Sequence, residues 1–172
     1  LKNSNKEEAN KIYEEYSKNN NILLEKINEI DGKMLSSAFY KDGNLEKDKL
    51  DRQNKFLDSY SLEVIQIEDG FMLTEKKKFY YNIFKNFVTD DYRDFLKQNI
   101  IEYIYYAPYL DLKPEILANE IIAWENFLEK YPDSKLKEKA QNIASTYRAD
   151  YIISLTSSET RESLMNGKAN EA

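Results

Sequence analysis

Apolar side chains recur every three or four residues along most of this 172-residue chain, and that spacing is the strongest constraint on its fold. It places them on one face of an α-helix, which must then pack against another element. Four glycines and three prolines punctuate the pattern. We therefore predict an all-α fold, a helical bundle of five to seven mostly antiparallel helices with a C-terminal helix hairpin. We expect a single domain over residues 1–172, with loose ends at 1–5 and 168–172.

The first half of the chain leaves two structural choices open. We predict a first helix from Asn5 to Ile30, with a break at the weak helix formers Asn19–Asn21 as the alternative. Residues 45–69 are predicted to form one helix that closes at Gly70. Asp69-Gly70 between two β-prone runs is also a hairpin signal at 61–74. We favour the helix, because an isolated two-stranded hairpin is marginally stable.

The second half is divided by prolines and capping residues. Apolar stripes on either side of Val88 predict two helices, with one bent helix as the alternative. Pro114 suits the first turn of a helix, and Pro132 suits a turn that ends one. The remaining helices are predicted at 74–87, 89–107, 114–131, 136–155 and 156–167.

Residue types that are missing from the sequence exclude several classes of chemistry. The chain has no histidine and no cysteine, which removes Ser-His-Asp and Cys-His catalysis, the usual zinc sites and disulfides. Its formal charge of −6 and the lack of a basic patch argue against nucleic-acid binding. The longest apolar runs are far shorter than the about 20 residues of a membrane span. We expect no enzyme activity, no cofactor and no metal site.

A tyrosine patch is the first candidate binding site. Tyr105, Tyr106 and Tyr109 precede or follow Pro108, and one neighbouring helix cannot cover all of them. Exposed tyrosines suit protein recognition, because the ring offers area and the hydroxyl offers a hydrogen bond. The alternative is that a second helix buries them in the core.

An acidic cluster is the second candidate. Asp90, Asp91 and Asp94 lie together at the start of a predicted helix. Two carboxylates that flank a cleft can act as acid and base on a glycan. The alternative is that they are solvated charges which stabilise the helix N-terminus.

Residues 124–151 carry the one segment that resembles a known family. They read W-x-x-F-L-x-x-Y-P-D-S from Trp124 to Ser134, followed by Ala140, Tyr147 and Tyr151. This junction resembles that of tetratricopeptide-like helical repeats in bacterial envelope lipoproteins, over about one repeat. The resemblance implies a helix pair that binds protein at the cell envelope.

These observations together lead to one functional expectation. We expect a non-catalytic helical protein of the bacterial cell envelope or surface that mediates protein–protein interaction. The chain opens on Leu1 rather than Met, which we interpret as the removal of a leader, with a lipid anchor upstream as one form of it. A carboxylate-dependent glycan-binding or glycan-processing protein is the alternative function, and the cytoplasm is the alternative location.

Overall fold

The computed structural model describes residues 1, 4–41, 44–67, 70–76, 78–99 and 114–168, with the backbone alone at 31–37, 41 and 155–168. The chain divides into two compact units, Leu1–Tyr109 and Leu110–Ala172. The single domain predicted from the sequence stays a prediction.

Six α-helices occur in the described part of the chain, a number within the predicted range of five to seven. A hairpin of six-residue strands and a short pair of two-residue strands accompany them, so the fold is mostly helical rather than all-α. The elements are α1 (Lys6–Phe39), β1 (Tyr40–Lys41), β2 (Asn44–Leu45), α2 (Lys47–Leu57), β3 (Leu62–Ile67), β4 (Gly70–Glu75), α3 (Phe79–Phe84), α4 (Asp90–Gln98), α5 (Pro114–Lys130) and α6 (Lys137–Lys168).

Helix α1 is longer than the sequence pattern predicts, because it continues through the Asn19–Asn21 run to Phe39. Its N-cap is Asn5, whose side-chain oxygen accepts a hydrogen bond from the backbone N–H of Glu8 at 2.9 Å. The Glu8 carboxylate accepts one from the backbone N–H of Asn5 in return. This capping box satisfies two N–H groups that the helix itself leaves without acceptors.

The preference for a helix over residues 45–69 is wrong beyond Leu57. Helix α2 ends there, and the chain passes through a 3-10 turn, Asp58–Tyr60, into the antiparallel hairpin β3–β4. Ile67 pairs with Gly70 across a two-residue connection, and Leu62 pairs with Glu75 at the other end. Gly70 has a φ of 148°, which a residue without a side chain adopts at least cost.

Two asparagine side chains hold the outer edges of this hairpin. Val64 and Leu73 face each other in the register. Asn54 of α2 accepts a hydrogen bond from the N–H of Val64 at 2.7 Å and donates one to its carbonyl at 3.0 Å. Asn28 of α1 does the same for Leu73, at 2.8 and 2.9 Å. Edge groups that a free hairpin leaves to water are therefore paired with protein.

The first unit contains two apolar clusters. One cluster, next to the hairpin, consists of Phe39, Leu57, Val64 and Phe71. The other is aromatic and lies between α1, α3 and α4. In it the ring of Tyr13 makes edge contacts with Phe84 at 5.4 Å and with Tyr92 at 5.9 Å.

The break between α3 and α4 confirms two helices on either side of Val88, rather than one bent helix. Val88 is itself buried, at 1% exposure. Thr89 takes the N-cap position of α4 with extended backbone angles. Asn10 of α1 accepts a hydrogen bond from the N–H of Thr89 at 3.1 Å and donates one to its hydroxyl at 2.8 Å. The start of α4 is thus fixed to α1.

The second unit is the predicted helix hairpin. Helix α5 begins at Pro114, and the short turn at 131–136 leads into α6, which packs against it. Trp124 is fully buried, as are the small residues Ala140 and Ala144 on α6. An ion pair between Arg148 and Glu125 at 2.7 Å links the two helices on their exposed side.

The separate helix predicted from Thr156 is wrong, because α6 continues without a break from Lys137 to Lys168. Thr156 therefore lies inside a helix, where it is not an N-cap. Among the described helices, none combines the length and apolar character that a membrane span requires.

The asparagine contacts give a local test of the hairpin. Asn54→Ala removes both partners of Val64, so we expect the free energy of unfolding of the first unit to fall by about 1–3 kcal/mol. The Val64 amide should also exchange its hydrogen faster, as measured by NMR, and Asn28→Ala should do the same at Leu73. Asn82→Ala, at an exposed site in α3, is the matched control and should change stability by about 0.5 kcal/mol or less. Unchanged protection of Val64 in Asn54→Ala would contradict the role assigned to this side chain.

Candidate functional site

The tyrosine patch predicted from the sequence, Tyr105, Tyr106 and Tyr109, lies outside the described residues. Their role in partner binding stays a prediction.

The three aspartates of the acidic cluster do lie together, on the first turn and a half of α4. Asp90 is within 3.0 Å of Arg93 and 3.7 Å of Lys6. Asp94 lies 3.9 Å from the same arginine, and Asp91 accepts a hydrogen bond from the Thr89 hydroxyl. Each carboxylate therefore has a neighbouring cation or hydroxyl. This pairing is typical of charges that stabilise a helix N-terminus.

A network of polar side chains connects the middle of α1 to the end of β4 and the start of α3. Asn20 donates a hydrogen bond to the Glu75 carboxylate at 2.6 Å and one to the Tyr80 hydroxyl at 3.1 Å. The Tyr80 hydroxyl donates to the same carboxylate. Burial, reinforced by the Glu75 carboxylate, raises the pKa of Tyr80 above its ordinary value.

A second pair of the same kind lies between α1 and α4. The hydroxyl of Tyr92, whose side chain is 1% exposed, donates a hydrogen bond to the Glu14 carboxylate. Burial, and then the hydrogen bond to the Glu14 carboxylate, raises the pKa of Tyr92. Both phenols thus keep their protons at neutral pH and serve as hydrogen-bond donors. Nucleophilic or general-base work would require a lowered pKa, so these pairs fit a structural role.

Helix α1 carries a group of exposed apolar side chains on one side. Four large side chains at helical spacing lie within an arc of about 40° around its axis. They are Ile12, Tyr16, Leu23 and Ile30, with exposed fractions of 40%, 43%, 55% and 78%. We call these four residues the α1 apolar face. Large apolar side chains that are exposed on one side of a helix are typical of an interaction surface.

The α1 apolar face adjoins the buried side of the same helix. Ala9, Tyr13 and Leu24 are buried in the first unit, and their directions lie roughly 60–120° around the helix from Ile12. The ring of Tyr16 is 6.2 Å from that of Phe79 in α3, so the face also continues onto the neighbouring helix.

Sequence reasoning missed this surface, because it placed Ile12, Tyr16, Leu23 and Ile30 on the same apolar stripe as Ala9, Tyr13 and Ile27. The width of the stripe does not reveal the exposed part. The arc that contains both Ile12 and Leu24 is about 120° wide, and a core-facing apolar stripe is commonly about 100° wide or more.

A smaller aromatic pair lies at the end of α2. Phe56 and Tyr60 are 63% and 61% exposed, and their ring centres are 5.6 Å apart. Two rings offer less area than the four residues of the α1 apolar face, which is therefore the stronger candidate. No protein-family model, curated protein or solved structure matches the chain.

The two partly buried tyrosine–carboxylate pairs predict how stability depends on pH. Above about pH 10 the unfolded chain releases phenol protons that Tyr80 and Tyr92 retain in the native state. The free energy of unfolding should therefore fall as the pH rises past that value. We expect urea midpoints to drop between pH 8.5 and pH 11, and to drop less in the variant Tyr80→Phe/Tyr92→Phe. Tyr60→Phe, at an exposed site, is the control and should leave the pH dependence unchanged. The same pH dependence in the unsubstituted chain, the double variant and the control would refute the assignment.

Proposed function

We propose that this chain is a non-catalytic helical protein of the bacterial cell envelope or surface, and that it binds another protein through the α1 apolar face. The single observation that carries the proposal is the exposure of Ile12, Tyr16, Leu23 and Ile30 on one side of α1. Each large apolar side chain that moves from full exposure to full burial contributes about 1.5–3 kcal/mol. A partner that covers the four half-exposed side chains therefore gains part of this free energy from each of them.

The hydrogen bonds that fix α1 within the first unit favour binding as well. Helix α1 is fixed to three other elements by Asn10, Asn20 and Asn28, each through hydrogen bonds of 3.1 Å or shorter. A face on an anchored helix loses little conformational freedom when a partner covers it. The surface is therefore already arranged for recognition.

The envelope location rests on the sequence. The helix-pair junction at Trp124–Tyr151 resembles that of envelope lipoproteins, and α5 and α6 form a packed pair at that junction. A lipid anchor upstream of Leu1 belongs to the same proposal. The described part of the chain contributes no membrane-spanning helix of its own.

Site-specific photocrosslinking in the native cell tests the binding role. A photoreactive amino acid in place of Leu23 should give an adduct with a polypeptide, detected as a band of higher mass. The same amino acid in place of Glu25 is the matched control, because both positions are exposed but lie about 160° apart around the helix. Equal adducts at both positions, or none at either, would contradict binding through this face.

Cell fractionation tests the location. Antibody detection should find the chain in the envelope or surface fraction, and treatment of intact cells with protease should degrade it if it is surface-exposed. Recovery of all the protein with cytoplasmic markers would rule out the envelope proposal while leaving the binding role intact.

A further inference from the structure

We propose that the partner on the α1 apolar face is a second copy of this chain, bound with its α1 antiparallel to the first. The proposal rests on the proposed binding function and specifies the partner. It follows from the arrangement of apolar and charged residues along α1.

The spacing along the face is that of a coiled-coil seam. Tyr16, Leu23 and Ile30 are seven residues apart, and Ile12 lies four residues before the first of them. Heptad spacing of this kind keeps a seam facing a neighbouring helix along its length. From residue 12 to residue 30 the seam is about 27 Å long.

Among the four residues of the face, Ile12 and Ile30 exchange places about residue 21. In an antiparallel pair centred there, Ile12 of one copy lies opposite Ile30 of the other, and Leu23 lies opposite the polar residue Asn19. Tyr16 lies opposite Lys26, whose aliphatic stem can pack on the ring while its ammonium group remains in water. The two-fold axis repeats each of these layers, so one patch serves both copies.

Two charges at the seam complement each other in the same arrangement. Lys26 lies in the seam and Glu15 lies at its edge; both are exposed, and among the described residues neither is in an ion pair. The antiparallel pairing brings Glu15 of each copy beside Lys26 of the other. Two such contacts form per dimer, and they favour this register over shifted ones.

A parallel arrangement fits the same residues less well. In register, it would place Lys26 against Lys26 in the seam, where like charges repel. It would also leave Glu15 without the opposite charge. The pattern of charge along α1 therefore selects the antiparallel orientation.

Sedimentation of the full chain tests the association. We expect a monomer–dimer equilibrium that depends on concentration, and the variant Leu23→Glu should raise the dissociation constant at least about tenfold. Phe56→Glu, an exposed aromatic site off the seam, is the matched control and should leave it unchanged. Circular dichroism checks that both variants keep their helix content. A chain that stays monomeric at every concentration, or a dimer that Leu23→Glu does not weaken, overturns the proposal.

Charge reversal tests the register and does not depend on the apolar substitution. Glu15→Lys and Lys26→Glu should each weaken the dimer, and the double variant should restore it. Two weak single variants without restoration in the double variant would overturn the antiparallel pairing.

Cysteine cross-linking tests the orientation, since the natural chain has no cysteine. A mixture of the Ile12→Cys and Ile30→Cys proteins should form a disulfide-linked heterodimer, whereas neither protein alone should cross-link. Self-linkage of each protein would show a parallel pair and overturn the orientation.

The photocrosslink at residue 23 separates the two proposals. An adduct with a different polypeptide, together with a chain that stays monomeric, would rule out self-association and leave the proposed binding function intact.

Discussion

The hydrogen bonds from Asn28 and Asn54 to the hairpin are the contacts on which the first unit depends. A two-stranded sheet has an unpaired edge on each side, and in water alone it is marginal. Here each edge carries one asparagine that satisfies both backbone groups of a residue, Leu73 on one strand and Val64 on the other. Val64 and Leu73 face each other across the sheet. The contacts of the hairpin with α1 and with α2 therefore lie at the same position along its strands.

This arrangement also determines which side of α1 is free. Asn10, Asn28 and the apolar residues between them direct one side of the helix to α4, the hairpin and the core. Polar side chains in a buried face fix rotation about the helix axis more strictly than apolar packing does, since a hydrogen bond is lost when its donor moves. Ile12 and Leu23 therefore remain on the outside of the unit.

The sequence predicted the helices far better than the hairpin, for a physical reason. Helical periodicity and proline positions are local signals, and they located α5 from Pro114 and the turn at Pro132 within a residue or two. The contact of Asn28 with Leu73 joins residues 45 positions apart, and no local pattern reports it. The Asn19–Asn21 run looked like a helix break, yet Asn20 holds Glu75 and Tyr80. The candidate binding surface was missed for a related reason, because a sequence shows which residues are apolar and not which neighbours cover them.

The width of the apolar arc on α1 explains why one helix can serve both a core and an interface. Residues seven apart drift by about 20° per heptad on a straight helix, so Tyr16, Leu23 and Ile30 together stay within about 40°. A second arc, which includes Tyr13 and Leu24, lies beside them and is filled from within the unit. Substitution of Leu23 or Ile30, which are 55% and 78% exposed, can therefore alter association with little effect on folding. The buried arc has no such independence, since Tyr13 packs at once against Phe84 and Tyr92.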